Sequence, residues 1–329
     1  MNPVNYNFIG IDLGGTNIVS LLVNKKGEII SKDKRKTLAK DGKEKTINQL
    51  VNSAKSIIKE GEKRGIDFES ILGLGIGAPG PLNIRKGIVC SAPNLPDWRN
   101  VHLTKILRDK LKLPVFLEND ANAAALGEWW KGAGKNVKNL VLLTLGTGIG
   151  GGIIINNEVF HGSYDAAGEI GHMIIHEGGL PCSCGKRGCF EAYASATGVV
   201  KRTITAIKEG GESILLDWIS GNLEKINCKL VYQAAKEKDK LSQWIAEETA
   251  RYLGIGIANI VNILNPEMII LSGGMSQAGD LLLKPVRKYA KRYALEPAIK
   301  RVKIVRGSLK DAGAIGAVVT VLKRKKLGV

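Results

Sequence analysis

Aromatic side chains are scarce, only 5% of the chain, which leaves few flat surfaces on which the bases of a single nucleic-acid strand could stack. No apolar run approaches the length of about 20 residues that a membrane-spanning helix needs. The opening, MNPVNYNFIGIDLGG, lacks a basic segment followed by an apolar stretch and does not read as a secretory signal. The expectation is a cytoplasmic protein with no membrane partner. Cysteine is sparse and odd in number: there are five, and Cys90 and Cys228 stand far from the other three. That distribution speaks against a disulfide framework. Low-complexity linkers are also missing.

What is present is enough for two cores. At 329 residues the chain exceeds the size at which a single core usually stops growing, so two lobes are expected. Hydrophobic residues at 44% and charged residues at 24% are ordinary for a globular protein. The formal net charge of +17 raises the question of nucleic acid. The excess is spread out, however, densest in KKGEIISKDKRKTLAKDGKEK (25–45) and KRKK (323–326), with Glu and Asp mixed into the first. It reads as a lysine-rich solvated surface, and no nucleic-acid partner is expected. An anionic small substrate such as a nucleotide suits this charge equally well.

Strands and helices alternate throughout, so the class is α/β. FIGIDLGGTNIVSLLVNKKGEIISK (8–32) reads as strand, glycine turn, strand, KKGE turn and third strand. LVLLTLGTGIGGGIIINNEVFHG (140–162) reads the same way. One device used twice suggests two α/β domains of like topology facing each other across a cleft. Between the meanders lie an amphipathic helix (46–64), a buried strand (70–82), a loop rich in Pro and Asn (91–100), a short helix (103–111), the strand PVFLEND (114–120) and the helix ANAAALGEWWKGA (121–133). Helices at 196–210, 230–239 and 242–264 follow, then strand, Gly-Gly turn and helix (265–283), a strand (303–308) and a last helix (311–325). The expected division is a small α/β domain at 1–118, joined by the C-terminal helix of 311–329, and a large one at 119–310.

Several motifs could carry chemistry. In the turn Asp12-Leu13-Gly14-Gly15-Thr16-Asn17, adjacent glycines let backbone N–H groups approach an anion and Thr16 adds a hydroxyl donor. Asp12, at the strand's end, could hold magnesium directly or through water. Alone, this turn serves a plain β-hairpin equally well. The equivalent turn, Gly146-Thr147-Gly148-Ile149-Gly150-Gly151-Gly152, carries far more glycine than a hairpin needs, which implies close backbone approach to a ligand. Two such turns together point to a clamped polyphosphate. By contrast, Gly75-Ile76-Gly77-Ala78-Pro79-Gly80 fits G-x-G-x-x-G only as a string. A dinucleotide fingerprint needs a helix to begin there, and Pro79 and Pro81 oppose one. This stretch is expected to be a rigid loop.

Glu118-Asn119-Asp120 ends a strand and opens a helix. Asp120 there is explained by helix capping, and equally by a general base whose ionised form the helix N-terminus favours. Leu271-Ser272-Gly273-Gly274-Met275-Ser276 runs from strand to helix. The bare backbone of Gly273-Gly274 could admit an adenine ring or simply make a tight turn.

The densest cluster is GHMIIHEGGLPCSCGKRGCFE (171–191). Cys182, Cys184 and Cys189 enclose Gly185-Lys186-Arg187-Gly188, whose glycines can turn the chain so that the sulfurs converge. His172, ten positions before Cys182, supplies a nitrogen, and His176 competes for that role. A Cys3His set is a normal tetrahedral zinc site, and four protein ligands leave no open position for a catalytic water. The zinc expected here is structural.

On these residues the chain resembles the ROK family (repressors, open reading frames and sugar kinases), and within it the bacterial and archaeal ATP-dependent glucokinases. DLGGTN and GTGIGGG match the phosphate motifs, LSGGMS looks like the adenosine motif, and LENDANAAALGE looks like the catalytic segment. AGEIGHM followed by CSCGKRGCFEAYASATG resembles the signature and zinc motif. The resemblance implies the two-lobed sugar kinase/Hsp70/actin (ribonuclease H-like) fold, with a cleft between domains. It implies Asp120 as catalytic base toward the sugar's 6-hydroxyl, and sugar contacts at Asn94, Asn119, Asp120, Glu169, His172 and Glu191. ATP with Mg²⁺ would sit on Asp12, Gly14, Gly15, Thr16, Asn17, Gly146, Thr147, Gly148, Gly150, Gly273 and Gly274, and zinc on His172, Cys182, Cys184 and Cys189. His172 would use one ring nitrogen on zinc and the other on a sugar hydroxyl.

Position 17 is Asn where many members carry Lys, and the strong positive charge is not a family feature. The family's repressors carry a winged helix-turn-helix ahead of the first glycine motif, and here that motif already begins at Asp12. The expected activity is glucose phosphorylation at the 6-hydroxyl, as a homodimer or homotetramer. The alternatives are a kinase for another hexose or N-acetylmannosamine and, from a different class, a sugar-sensing transcriptional regulator.

Overall fold

The computed structural model of the chain describes residues 6–328. It divides into two compact units. The first takes the residues up to Val137, Gly152–Gly168 and the residues from Ser308; the second takes Lys138–Gly151 and Glu169–Gly307. This differs from the expected boundaries near 118 and 310. The chain passes from one unit to the other four times, and the helix Asp120–Lys131 belongs with the first unit. It does so because it packs on the C-terminal helix Ala312–Arg324.

The first unit is built on a five-stranded sheet in the order Ile29–Lys36, Asn17–Asn24, Asn7–Leu13, Ile71–Ala78, Val115–Asn119. The three N-terminal strands pair antiparallel, as the meander predicts, and the last two join parallel. Strand alternation sorts the side chains. Ile9, Ile11 and Leu13 face one layer, with Leu50, Ile57 and Leu107 of the helices Lys43–Lys63 and Leu103–Leu111. Phe8, Leu21 and Val23 face the other, under Ala314, Val318 and Leu322. Gly10 lies on that second side, as does Gly75 of the neighbouring strand, and a Cβ on either would collide with the backbone carbonyl of Ala314 or Ala317. The two glycines form a groove into which the C-terminal helix sinks. Gly75 and Gly77 are therefore strand residues that admit a helix, not parts of a rigid loop as the sequence suggested.

In the second unit Leu140–Leu145, Met268–Ser272 and Lys303–Arg306 run parallel, with Met268–Ser272 in the centre. The second meander is present as Leu140–Leu145, Ile149–Ile155 and Glu158–Val159 in succession. The long helix Lys240–Leu264 packs against Asp280–Tyr293 and Cys228–Lys236. Among the described residues no helix is long and apolar enough to cross a membrane.

Candidate active site

The first glycine turn closes by a hydrogen bond from the Gly14 amide to the Asn17 carbonyl at 3.0 Å, and Thr37 ties it down by donating its amide to the Thr16 carbonyl at 3.0 Å. A Cβ on Gly15 would stand 2.9 Å from the Cβ of Asn94, so the predicted sugar contact Asn94 lies against this turn. Asp12 sits on the same strand face as Gly10 and meets Gly313 at the start of the C-terminal helix. Loss of water pushes its carboxyl up to about 7, and the nearby carboxylates of Asp120 and Asp311 add to the push. Asp311 is paired with Lys32 at 2.6 Å, so the repulsion that a divalent cation would relieve is chiefly that between Asp12 and Asp120. The residues present therefore fit magnesium, a hard cation that takes one or two carboxylates.

Asn119, rather than Asp120, caps the helix Asp120–Lys131. Its Oδ1 accepts the amides of Ala121 at 2.9 Å and Asn122 at 3.1 Å. The cap uses the oxygen of Asn119, so its amide donors are what it can offer a ligand. Asp120 is the first helical residue, and its Oδ1 accepts the amide of Ala121 at 2.8 Å. Asn119 thus carries the cap, while the Asp120 carboxylate still takes one amide of the first turn and sits where the helix N-terminus favours its ionised form.

The second turn is tied to its own unit by Ala196, whose amide donates to the Gly146 carbonyl at 2.9 Å. Glu191 accepts the Ile149 amide at 2.9 Å, and a Cβ on Gly148 would strike that carboxylate. Gly148 is thus glycine to admit Glu191. Gly146 and Gly274 instead face open space. Both line a cavity of about 710 Å³ with Thr147, Met275, Tyr232 and Lys236. The predicted phosphate turn and the Gly273-Gly274 motif share this one cavity. Gly273 has φ of 86° with its Cβ position against Leu145 backbone, so its role is to make the turn. The helix Cys228–Lys236, which supplies much of the wall, was expected as a helix at 230–239 but carried no sequence mark of a ligand site.

His172, Cys182, Cys184 and Cys189 come together, with their ligand atoms all within 4.8 Å of one another. Cys184 Sγ and Cys189 Sγ are 3.7 Å apart and Cys182 Sγ is 3.8 Å from His172 Nδ1. Tetrahedral bonds of about 2.3 Å require sulfurs about 3.8 Å apart, whereas a disulfide would need about 2 Å. The donor set fits zinc. Burial and the adjoining sulfurs push the Cys189 thiol up to about 12, a proton that a bound cation would displace. His176 is withdrawn from competition. The Leu180 amide donates to the Tyr193 hydroxyl at 2.7 Å, leaving that hydroxyl's proton for His176 Nδ1 at 3.1 Å. The second nitrogen of His172, Nε2, lies 3.9 Å from the carboxylate of Glu169.

One feature escaped the sequence. Glu118 is buried, and His161 Nε2 donates to both of its oxygens, at 2.9 and 3.1 Å. That hydrogen bond to the carboxylate holds the His161 pKa above its ordinary value against the opposing effect of burial.

The family profile described as the ROK family matches residues 8–324. The glucokinase of Halalkalibacterium halodurans is 41% identical over 94% of this chain and 93% of its own length. The xylose repressor of Caldicellulosiruptor bescii is 37% identical over 93% of this chain and 75% of its own. Among solved structures, a ROK family glucokinase from Streptomyces griseus in complex with glucose and AMPPNP superposes with a TM-score of 0.80 at 34% identity, covering 95% of this chain and 98% of that one.

Proposed function

The chain belongs to the ROK family, and we propose that it is an ATP- and Mg²⁺-dependent hexokinase that converts glucose to glucose 6-phosphate. The observation that carries the reading is Asp120, a carboxylate at a helix start whose cap is already supplied by Asn119. Asp120 takes the proton of the sugar's 6-hydroxyl as that oxygen attacks the γ-phosphorus in line. Such catalysis rests on positioning and on charge stabilisation rather than on covalent chemistry. The hexose contacts are Asn94, Asn119, Asp120, Glu169, His172 and Glu191. The nucleotide rests on Gly146, Thr147, Gly148, Gly150 and Gly274, with Gly273 shaping the turn, and its phosphates also take Gly14, Gly15, Thr16 and Asn17. Magnesium held near Asp12 would neutralise charge on the phosphates. Zinc on His172, Cys182, Cys184 and Cys189 would do no chemistry and would fix His172. The reading keeps the cytoplasm as location and a homodimer or homotetramer as assembly.

Steady-state rates with ATP and a panel of hexoses test this. Turnover is expected, fastest with glucose; inert glucose, mannose, fructose, allose and N-acetyl amino sugars would remove the enzyme reading. The similarity to a xylose repressor supports a sugar-sensing regulator as the second reading. Binding to duplex DNA that weakens steeply with salt would favour it, because phosphate contacts release counterions.

A further inference from the structure

We propose that His161 is a positioning residue for the Asn119–Asp120 turn, acting through the Glu118 carboxylate. The inference rests on the reading of Asp120 as the base. Glu118 is 3% exposed, and a buried carboxylate is costly unless every oxygen is partnered. Its Oε1 accepts the amide of Asn119 at 2.9 Å and the side-chain amide of Asn122 at 3.2 Å. His161 Nε2 donates to both oxygens. A single carboxylate thus grips the residue just before Asp120 and the residue two beyond it. Asn119 in turn caps the helix that Asp120 begins.

The His161 ring fixes which way this carboxylate points. Without it, the Asn119 and Asn122 donors on Oε1 remain while Oε2 loses its bond to the ring, so the carboxylate can turn and holds the Asn119 amide less firmly. His161 is reached by solvent: its side chain is 29% exposed at the wall of a cavity of about 610 Å³. The other charged groups of that cavity are Arg85, Glu158, Asp165, Lys323 and Arg324. Asp165 favours the protonated ring and Arg324 opposes it. Lys323 and Glu158 neutralise each other in an ion pair at 2.7 Å. Glu118 remains the dominant partner.

Two variants and two readouts test the proposal. His161→Phe removes the cation, and His161→Arg keeps a permanent one with a fork that matches a carboxylate. Hydrogen exchange over residues 118–122 needs no enzymatic activity. It is expected to quicken in H161F and to return toward the wild-type rate in H161R. With glucose, H161F is expected to lose about ten- to a hundred-fold in kcat while the KM for ATP stays within about two-fold. H161R, which keeps a cation and two donors for the carboxylate, is expected to bring kcat back to within about ten-fold of wild type. A folded H161F with wild-type exchange and wild-type kcat, even if less heat-stable, would overturn the proposal by leaving only a structural role. If H161F does not fold, His161→Ala takes its place, and wild-type exchange over 118–122 with wild-type kcat in H161A would overturn it. The altered exchange pattern in a protein that phosphorylates no hexose would uphold the Glu118 link and sink the kinase reading instead.

Discussion

The Glu191 carboxylate accepts the backbone amide of Ile149 with one oxygen at 2.9 Å, while its other oxygen lies 3.7 Å from Cys182 Sγ. One side chain therefore spans the sulfur cluster and the glycine turn proposed to hold phosphate. Ser183 Oγ adds a hydrogen bond to the same carboxylate at 3.2 Å. Disturbing the sulfurs should be felt at the turn.

Metal removal follows from that link. Protein stripped by a strong chelator, and shown zinc-free by elemental analysis, is expected to have a lower Tm and to bind glucose and ATP about ten-fold more weakly. Calorimetric titration of each ligand checks this. Unchanged affinity for both would sever the cluster from binding.

Asp120→Asn should leave the fold intact, because Asn119 keeps the helix cap. Loss of a general base is expected to lower kcat by about 10²- to 10⁴-fold. Glucose and ATP binding should stay measurable by calorimetry. Near wild-type turnover would take the base assignment away from Asp120.

Asp12 makes stability depend on pH. Its folded pKa is raised from 3.8 to about 7, so the native state holds the proton more tightly than the unfolded chain. The associated stability is fully present below about pH 4 and is lost as pH rises through about 7. In magnesium-free buffer Asp12→Asn is therefore expected to raise Tm relative to wild type at pH 8, with the gap closing toward pH 4. The same change should raise the magnesium concentration needed for half-maximal turnover. An equal Tm difference at both pH values would refute the burial argument.

Gly75→Ala tests the groove. The added Cβ meets the Ala317 carbonyl, and overpacking of this kind costs about 1–3 kcal/mol or more. Thermal melts should show the loss. A variant as stable as wild type would mean that the C-terminal helix can move aside.

The glycine turns, the sulfur cluster and the capped helix start were legible because each is a contiguous string whose chemistry is local. Asp120 was legible only halfway. Its neighbour Asn119 also suits a cap; both accept the Ala121 amide and only Asn119 takes that of Asn122, a division that depends on backbone angles no residue type fixes. The Glu118–His161 pair was invisible because its partners are 43 positions apart in the chain and only Glu118 belongs to a motif, which names no partner for it. Likewise the cavity wall at Tyr232 and Lys236 reads as one more amphipathic helix. The place of the helix Asp120–Lys131 was hidden for a related reason: it follows its strand without a break, and only its packing on Ala312–Arg324 groups it with the first compact unit.

That late helix also imposes an order on biosynthesis. Ala312–Arg324 covers the sheet face bearing Phe8, Leu21 and Val23, yet it leaves the ribosome only after every residue of the second unit has been made. Throughout translation the nascent first unit must carry an uncovered apolar face with a glycine-lined trough. The second unit, whose residues are all made before that helix, can finish folding while the first still waits. Truncation before residue 312 would leave that apolar face uncovered.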